Sequence, residues 1–402
     1  MQIINSIFTA IVIVLISCGI LSADSFDDFL KKEQVAAKGF IAEEKQEFKS
    51  YLDELKKEFK EYKRIVEKEY KQYKKELLRH WDSAEISDKK KWVEYSADYK
   101  TKRVVDFGKN QIKIEIITDR DEKTEKKVAE ILMDILSENK EAAFNRDRLA
   151  VNIENSIKQK IKYLKTDKVE KKPVLASLFT GRDEPSKKEL SSIASALMKK
   201  AKKETRPANI SDSRIVSITI PFSKKAAENK AETYRLLVND CAKKQKIDNA
   251  LVMAVIHTES AFNPMAKSST PAYGLMQIVP QSAGLDATEF VYGKPVLLSP
   301  SYLYNDRNNV TIGTAYLHIL NYRYLKKIKN PESRLYCAIA SYNTGAGNVA
   351  RAFTGSKNIS KGANVINRMN SEAVYAVLIK KLPYEETREY LKRVIERIRL
   401  YQ

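Results

Sequence analysis

From residue 24 to about residue 80 the chain is dense in Lys and Glu, yet apolar and aromatic positions return at Phe48, Leu52, Leu55, Phe59, Tyr62 and Val66. The steps alternate four and three, the period of a helix that carries a single apolar seam. Tyr70, Tyr73 and Leu77 continue the seam after a small slip in register. At about 1.5 Å per residue such a helix would extend about 80 Å. Two readings stay open: a coiled coil or stalk with possible self-association through residues 24–80, or a helical hairpin packed on its own domain.

The period then changes. Val104 to Phe107 and Gln111 to Ile117 flank Gly108-Lys109-Asn110, and Ile112, Ile114 and Ile116 alternate with polar residues, which predicts a hairpin with one buried face. Val128, Ile131, Leu132, Ile135 and Leu136 fall on one face of a helix. A further strand is expected at Ile215 to Ile220, closed by Pro221. Residues 86–225 therefore read as an α+β domain, and no catalytic constellation is visible in it. From residue 226 onward the pattern is helical, with Asp248 as N-cap for Ala250 to Thr258. Further helices are expected over Asn309 to Lys327, Glu332 to Ser341, Glu372 to Lys380 and Glu385 to Tyr401.

Charge and composition narrow the partners. The 402-residue chain is 43% hydrophobic and 31% charged, with a formal net charge of +20. That suits polyanions such as nucleic acid, anionic lipid or cell wall, and selects none of them by itself. Residues 1–23 carry no charged side chain, and Ile7 to Ile16 is an apolar core of leader length. Leu15-Ile16-Ser17-Cys18 resembles a bacterial lipobox, which makes 1–17 a lipoprotein signal peptide and Cys18 the lipidation site. The alternative is ordinary cleavage after Ala23. The remaining cysteines, Cys241 and Cys337, sit in apolar helical patterns and read as buried thiols, although an oxidising compartment would permit pairing. No Cys/His grouping has metal-ligand spacing, so neither metal nor cofactor is expected.

The chemistry concentrates in His257-Thr258-Glu259-Ser260-Ala261-Phe262-Asn263-Pro264, followed by Gly274-Leu275-Met276-Gln277. Val252, Val255 and Ile256 make the preceding turn apolar, and Asn263-Pro264 stops the helix just past Glu259. A carboxylate at a helix C-terminus faces the negative end of the dipole, and burial adds desolvation. Both effects favour the protonated acid near neutral pH. Met276 and Phe262 are expected to wall the pocket, and His257, on another helical face, reads as structural.

Taken together, these motifs resemble the soluble-lytic-transglycosylase domain family, whose fold is like goose-type lysozyme. The family's opening matches Glu259 to Pro264, with Ser268 nine residues beyond the Glu, and its G-L-M-Q motif matches Gly274 to Gln277. Asn309 and Gly313-Thr314-Ala315-Tyr316-Leu317 match its central helix. Ser341-Tyr342-Asn343, with Gly345 and Gly347, carries Ser where the family usually has Ala. Pro383-Tyr384 and Glu386-Thr387-Arg388-Glu389-Tyr390 resemble its last motif. Upstream, Trp92-Val93-Glu94-Tyr95 through Asp106-Phe107-Gly108 looks like the N-terminal domain of the membrane-bound lytic murein transglycosylase C group, which also begins with a lipobox.

The resemblance implies an α+β N-terminal domain (86–225) before an all-α, lysozyme-like catalytic domain (226–402); the lipid anchor and charged helical or coiled-coil segment at 18–85 rest on the lipobox and the heptad spacing, and the charged helix is longer than that group's usual pattern. The resemblance also implies cleavage, without water, of the β-1,4 bond between N-acetylmuramic acid and N-acetylglucosamine, giving 1,6-anhydromuramic ends. Glu259 would be the acid/base. Tyr342 and Tyr390 would stabilise charge near the acetamido group, and Ser268, Gln277 and Asn343 would bind glycan, with Asn343 equally readable as a loop-shaping residue. The partners would be peptidoglycan strands and a membrane through the N-terminal lipid, with no nucleic acid, at the periplasmic face of the outer membrane. A hydrolase on the same fold would need a water-activating Asp, for which Asp286 and Asp306 are the candidates. A non-catalytic wall-binding protein is the third reading.

Overall fold

The computed structural model describes residues 23–118, 124–208 and 213–402, with side chains from residue 44 onward. The leader 1–17 and Cys18 lie outside the described residues. The chain divides into two compact units, 1–57 and 58–402. Helix α1 (Ala23–Leu77) supplies the described part of the first, where Lys56 pairs with Asp53 at 2.8 Å in the exposed i, i+3 manner. No described helix is long and apolar enough to cross a membrane.

Within the second unit, the part of α1 from Glu58 onward is not a stalk. Phe59, Tyr62, Val66 and Leu77 are buried, and what they pack on is their own domain rather than a second helix. The Tyr62 hydroxyl donates to the Leu298 carbonyl at 3.4 Å. Glu58 accepts from the amides of Lys162 and Tyr163 at 3.0 and 3.1 Å. Leu77 and Trp81 join Val93, Tyr95, Tyr99, Val104, Ile117 and Ile215 in one cluster. The heptad spacing was a sound sign of a helix with one buried face, but spacing alone does not say what buries that face.

The sheet is antiparallel throughout, in the order β1-β2-β3-β6-β5. Its strands are β1 (Lys91–Tyr95), β2 (Thr101–Asp106), β3 (Gln111–Thr118), β5 (Lys202–Pro207) and β6 (Arg214–Pro221). The expected hairpin is present, with Val105 opposite Ile112 and the turn closed by Asn110 at φ 54°. Ile112, Ile114 and Ile116 are buried, and on the opposite face Glu115 is buried by its ion pair with Lys102. Strand β5 is exposed along its whole length and Lys-rich, which keeps this sheet edge from pairing with other chains. Helices α2 (Thr124–Ser137), α3 (Lys140–Arg146) and α4 (Arg148–Lys160) follow β3. Then come the short β4 (Leu164–Lys165), α5 (Ala176–Thr180) and α6 (Lys187–Met198).

The helical part comprises α7 (Lys224–Gln245), α8 (Asn249–Glu259), α9 (Ala283–Tyr292), the short β7 (Leu297–Leu298), α10 (Pro300–Leu303) and α11 (Asp306–Ile319). After it come α12 (Pro331–Thr344), α13 (Ala346–Thr354), α14 (Ile359–Ile366), α15 (Ser371–Lys381) and α16 (Glu385–Ile398). Asp248 caps α8 as expected, accepting from the amides of Ala250 and Leu251. The single helix expected over Asn309 to Lys327 instead ends as a π-helical turn at Leu320–Tyr324. Cys241 and Cys337 are both free and buried, with the Cys241 Sγ 3.6 Å from the Thr311 hydroxyl.

Polar contacts join the sheet-bearing and helical parts. Strand β4 pairs in parallel with β7. The Lys140 ammonium is fully buried and reaches Asp306 at 2.8 Å, the Tyr304 carbonyl at 3.1 Å and Glu170 at 3.2 Å. Glu154 accepts from the Ser301 hydroxyl at 2.6 Å, and Lys267 pairs with Asp147. The expected boundary near residue 225 therefore lies inside one compact unit.

Candidate active site

Glu259 is the last residue of α8. The Ser260 hydroxyl turns back onto the Ile256 carbonyl at 3.0 Å, so it is fully buried and spent on the helix end. Ala261 and Phe262 then take left-handed conformations, φ 53° and 66°, which ends the helix abruptly. Asn263 accepts from the Met265 amide at 3.0 Å and fixes the turn.

The Glu259 carboxyl faces a groove of about 630 Å3, and the residue as a whole is only 5% exposed. Ser268, Gln277, Tyr342 and Asn343 line the same groove, although they come from separate loops and helices. Tyr390, on α16, is buried, and its hydroxyl lies beside the Glu259 carboxyl without a hydrogen bond of ordinary geometry. Burial pushes the Glu259 carboxyl up to about 7, against the pull of the Lys89 ammonium and the Tyr390 hydroxyl. The Tyr342 and Tyr390 phenols are both pushed well up, first by burial and then by the adjacent Glu259 charge. Burial pushes the His257 imidazole down to about 4, with Arg397 adding to it, and its Nδ1 is 2.8 Å from the Tyr401 hydroxyl. His257 is thus a neutral packing group.

The loop that carries Gln277 is held by Asn309 at the start of α11. Asn309 accepts from the Met276 amide at 2.8 Å and donates to the carbonyls of Tyr273 and Leu303 at 2.8 and 2.9 Å. Gly274 has φ 73°, and a Cβ there would lie 2.3 Å from the Asn309 side-chain nitrogen, so no other residue fits. Gln277 donates to the Gly274 carbonyl at 3.0 Å, and its own side-chain oxygen has no partner in the groove wall. Tyr342 donates to the Met276 carbonyl at 2.9 Å, so its proton is engaged in holding the loop. Asn343 accepts from the Thr387 hydroxyl at 2.6 Å, which ties α12 to α16 beside the groove.

Met276 and Phe262 are not groove wall. Met276 packs against Gly313, whose Cβ would meet its sulfur at 2.3 Å, and Phe262 stacks on Tyr234 with centroids 6.1 Å apart. Asp286 accepts from the Tyr324 hydroxyl at 2.8 Å, Asp306 pairs with Lys140, and neither lines the groove. The second carboxylate that does is Glu386. Lys89, from the sheet-bearing part, also lines it, with its ammonium 3.3 Å from Glu386 and 3.8 Å from Glu259. Nothing in the Asp88-Lys89-Lys90-Lys91 run distinguishes Lys89 from a solvated lysine. Among the described residues no His, Cys, Asp and Glu group could hold a metal ion.

Residues 237–366 match the family model of the transglycosylase SLT domain, and residues 54–174 match that of the N-terminal domain of membrane-bound lytic murein transglycosylase C. The chain carries an SLT domain behind an N-terminal domain of that group. Helix α16, with Glu386 and Tyr390, lies beyond the matched residues. Membrane-bound lytic murein transglycosylase C from Salmonella arizonae is 40% identical over 188 residues, 47% of this chain and 51% of that one. Its counterpart from Klebsiella pneumoniae is 43% identical over 180 residues, 45% of this chain and 49% of that one. The chain thus spans about half the length of the curated relatives it matches. Among solved structures, the 70-kDa soluble lytic transglycosylase in complex with bulgecin A overlaps 69% of this chain and 43% of its own, at 21% identity and a TM-score of 0.35. The lytic transglycosylase Slt from Pseudomonas aeruginosa overlaps 42% of this chain and 24% of its own, at 26% identity and a TM-score of 0.32.

Proposed function

We propose that this protein is a lytic transglycosylase that cleaves the β-1,4 bond between N-acetylmuramic acid and N-acetylglucosamine in peptidoglycan, with Glu259 as its single acid/base. The observation that carries this reading is a buried carboxyl at about 7 facing a groove large enough for sugar rings. Near neutral pH such a group holds a proton to give and remains basic enough to take one back.

In the first step Glu259 protonates the glycosidic oxygen as the bond breaks. The acetamido carbonyl of the muramic residue closes on C1 to give an oxazolinium. Glu259, now ionised, takes the proton of the sugar's own C6 hydroxyl, whose oxygen attacks C1 and opens the oxazolinium to the 1,6-anhydro product. Attack from within the same sugar gains from high effective molarity and needs no carboxylate to activate water. Tyr390, whose hydroxyl has no ordinary partner, is the phenol best placed to stabilise the developing charge. Tyr342 acts through the loop it holds. Gln277 offers its unpartnered oxygen to a sugar N–H or O–H, while Ser268 and Asn343 bind glycan along the groove. The hydrolase alternative lacks a suitable base, because Glu386 is largely exposed and shares its charge with Lys89.

At the membrane, the Leu15 to Cys18 motif supports diacylation of Cys18 and anchoring at the periplasmic face of the outer membrane, in keeping with the membrane-bound relatives. Cys18→Ala is expected to move the protein from the membrane to the soluble fraction, and unchanged partitioning would reject the anchor.

Mass spectrometry of products from purified sacculi tests the reaction. Anhydromuropeptides are expected, and reducing muramic ends would reject the non-hydrolytic mechanism. Glu259→Gln is expected to cut the rate roughly a hundredfold to ten-thousandfold while the fold is kept. Full activity in that variant would end the assignment.

A further inference from the structure

Lys89 belongs to a rigid turn. Asp88 accepts from the amides of Lys90 and Lys91 at 2.7 and 2.8 Å, and the Lys90 carbonyl accepts from the Phe107 amide at 2.9 Å. The Asp88 carbonyl accepts from the Lys267 amide at 3.4 Å, which seats the turn against the helical part. The turn lies within the residues that match the N-terminal domain, yet its lysine lines the groove with Glu259.

The groups that face the Glu259 carboxyl are Lys89 from this turn, Glu386, Tyr390 and Arg393 from α16, and Tyr342 from α12. The two carboxylates share one ammonium, and Glu386 holds the shorter contact. At 3.8 Å the pair between Lys89 and Glu259 is Coulombic rather than a hydrogen bond. The ammonium therefore favours negative charge on Glu259 without occupying the lone pair that must carry the proton.

We propose that Lys89 is a positioning residue supplied by the N-terminal domain, whose ammonium, held at its distance by Glu386, stabilises the ionised Glu259 between its two proton transfers. This rests on the reading of Glu259 as the acid/base. It makes the N-terminal domain a contributor to the catalytic cycle, and it assigns Glu386 the role of a counterweight.

The sign of the effect follows. Losing the ammonium raises the proton affinity of Glu259, and losing the Glu386 charge lowers it. The test is the initial rate of soluble muropeptide release by the full chain at sub-saturating peptidoglycan, from about pH 5 to about pH 9. Lys89→Met is expected to move the alkaline limb up by about half to one pH unit and to lower the plateau several-fold. Lys89→Arg is expected to restore both. Glu386→Gln is expected to move the limb the opposite way, and both side chains are exposed enough for these variants to fold. An inactive wild-type chain would overturn the reading of Glu259 itself. An active wild type with the limb unmoved in Lys89→Met, or moved the same way in Lys89→Met and Glu386→Gln, would overturn the role of Lys89 alone.

Discussion

Glu259 sets function against stability within one side chain. Its carboxyl titrates near 4.5 in an unfolded chain and at about 7 in the fold, so the folded state binds the proton more tightly. Below about 4.5 the group costs the fold nothing. As the pH rises toward and past about 7 the buried charge costs on the order of 1–3 kcal/mol. Glu259→Gln is therefore expected to raise the melting temperature at pH values above about 8 and to leave it unchanged below about 4. Equal melting of the two proteins at both extremes would count against a buried, proton-holding carboxyl. Gly274 is constrained differently. Its left-handed φ and the Asn309 amide 2.3 Å from any added Cβ predict that Gly274→Ala costs roughly 2 kcal/mol or more, read by chemical denaturation.

Glu259 could be read at this scale from sequence, because it ends an apolar helix, whereas Ser268, Gln277, Tyr342, Asn343 and Tyr390 entered the candidate site through the resemblance of the motifs around them. Lys89 could not be read in this way, because its role comes from a turn far upstream in the chain. Nor could the positions of Met276 and Phe262, since an apolar residue near a catalytic group is equally suited to core and to groove wall. Gly313 and Tyr234 decide the matter by occupying the space beside them.

For the elements, the most informative is α1. The heptad pattern located the helix, and Glu58 to Leu77 buries its seam on its own domain. Tyr62→Ala is expected to cost about 3–5 kcal/mol, since it removes a fully buried ring, whereas Lys56→Ala on the exposed pair with Asp53 should change stability by less than about 0.5 kcal/mol. Removing residues 1–80 should lower the melting temperature of the remaining chain steeply. Melting unchanged by that truncation would mean that the seam contributes nothing to the fold. The sheet was legible where alternation was clean, as in β3 and β6. Strand β5 was not, because an exposed Lys-rich edge has no apolar face to announce it.

Across the whole molecule, buried ions join the sheet-bearing and helical parts. Lys140→Met would leave Asp306 and Glu170 without their buried cation, at a cost of about 3–5 kcal/mol. Because the contacts cross the expected domain boundary, residues 58–402 should unfold in one transition. Separate transitions in calorimetry of the wild type would show that the boundary is real. With a net charge of +20, retention on sacculi should weaken as salt is added.

The thiols at Cys241 and Cys337 bear on how this unit is made. Both are sealed in the core and neither is joined to anything, so no covalent cross-link among the described residues has to form before the groove takes shape. Residues 58–402 should therefore mature equally well in a reducing cytosol and in an oxidising envelope. A maleimide probe should find these sulfurs only after the chain has been denatured.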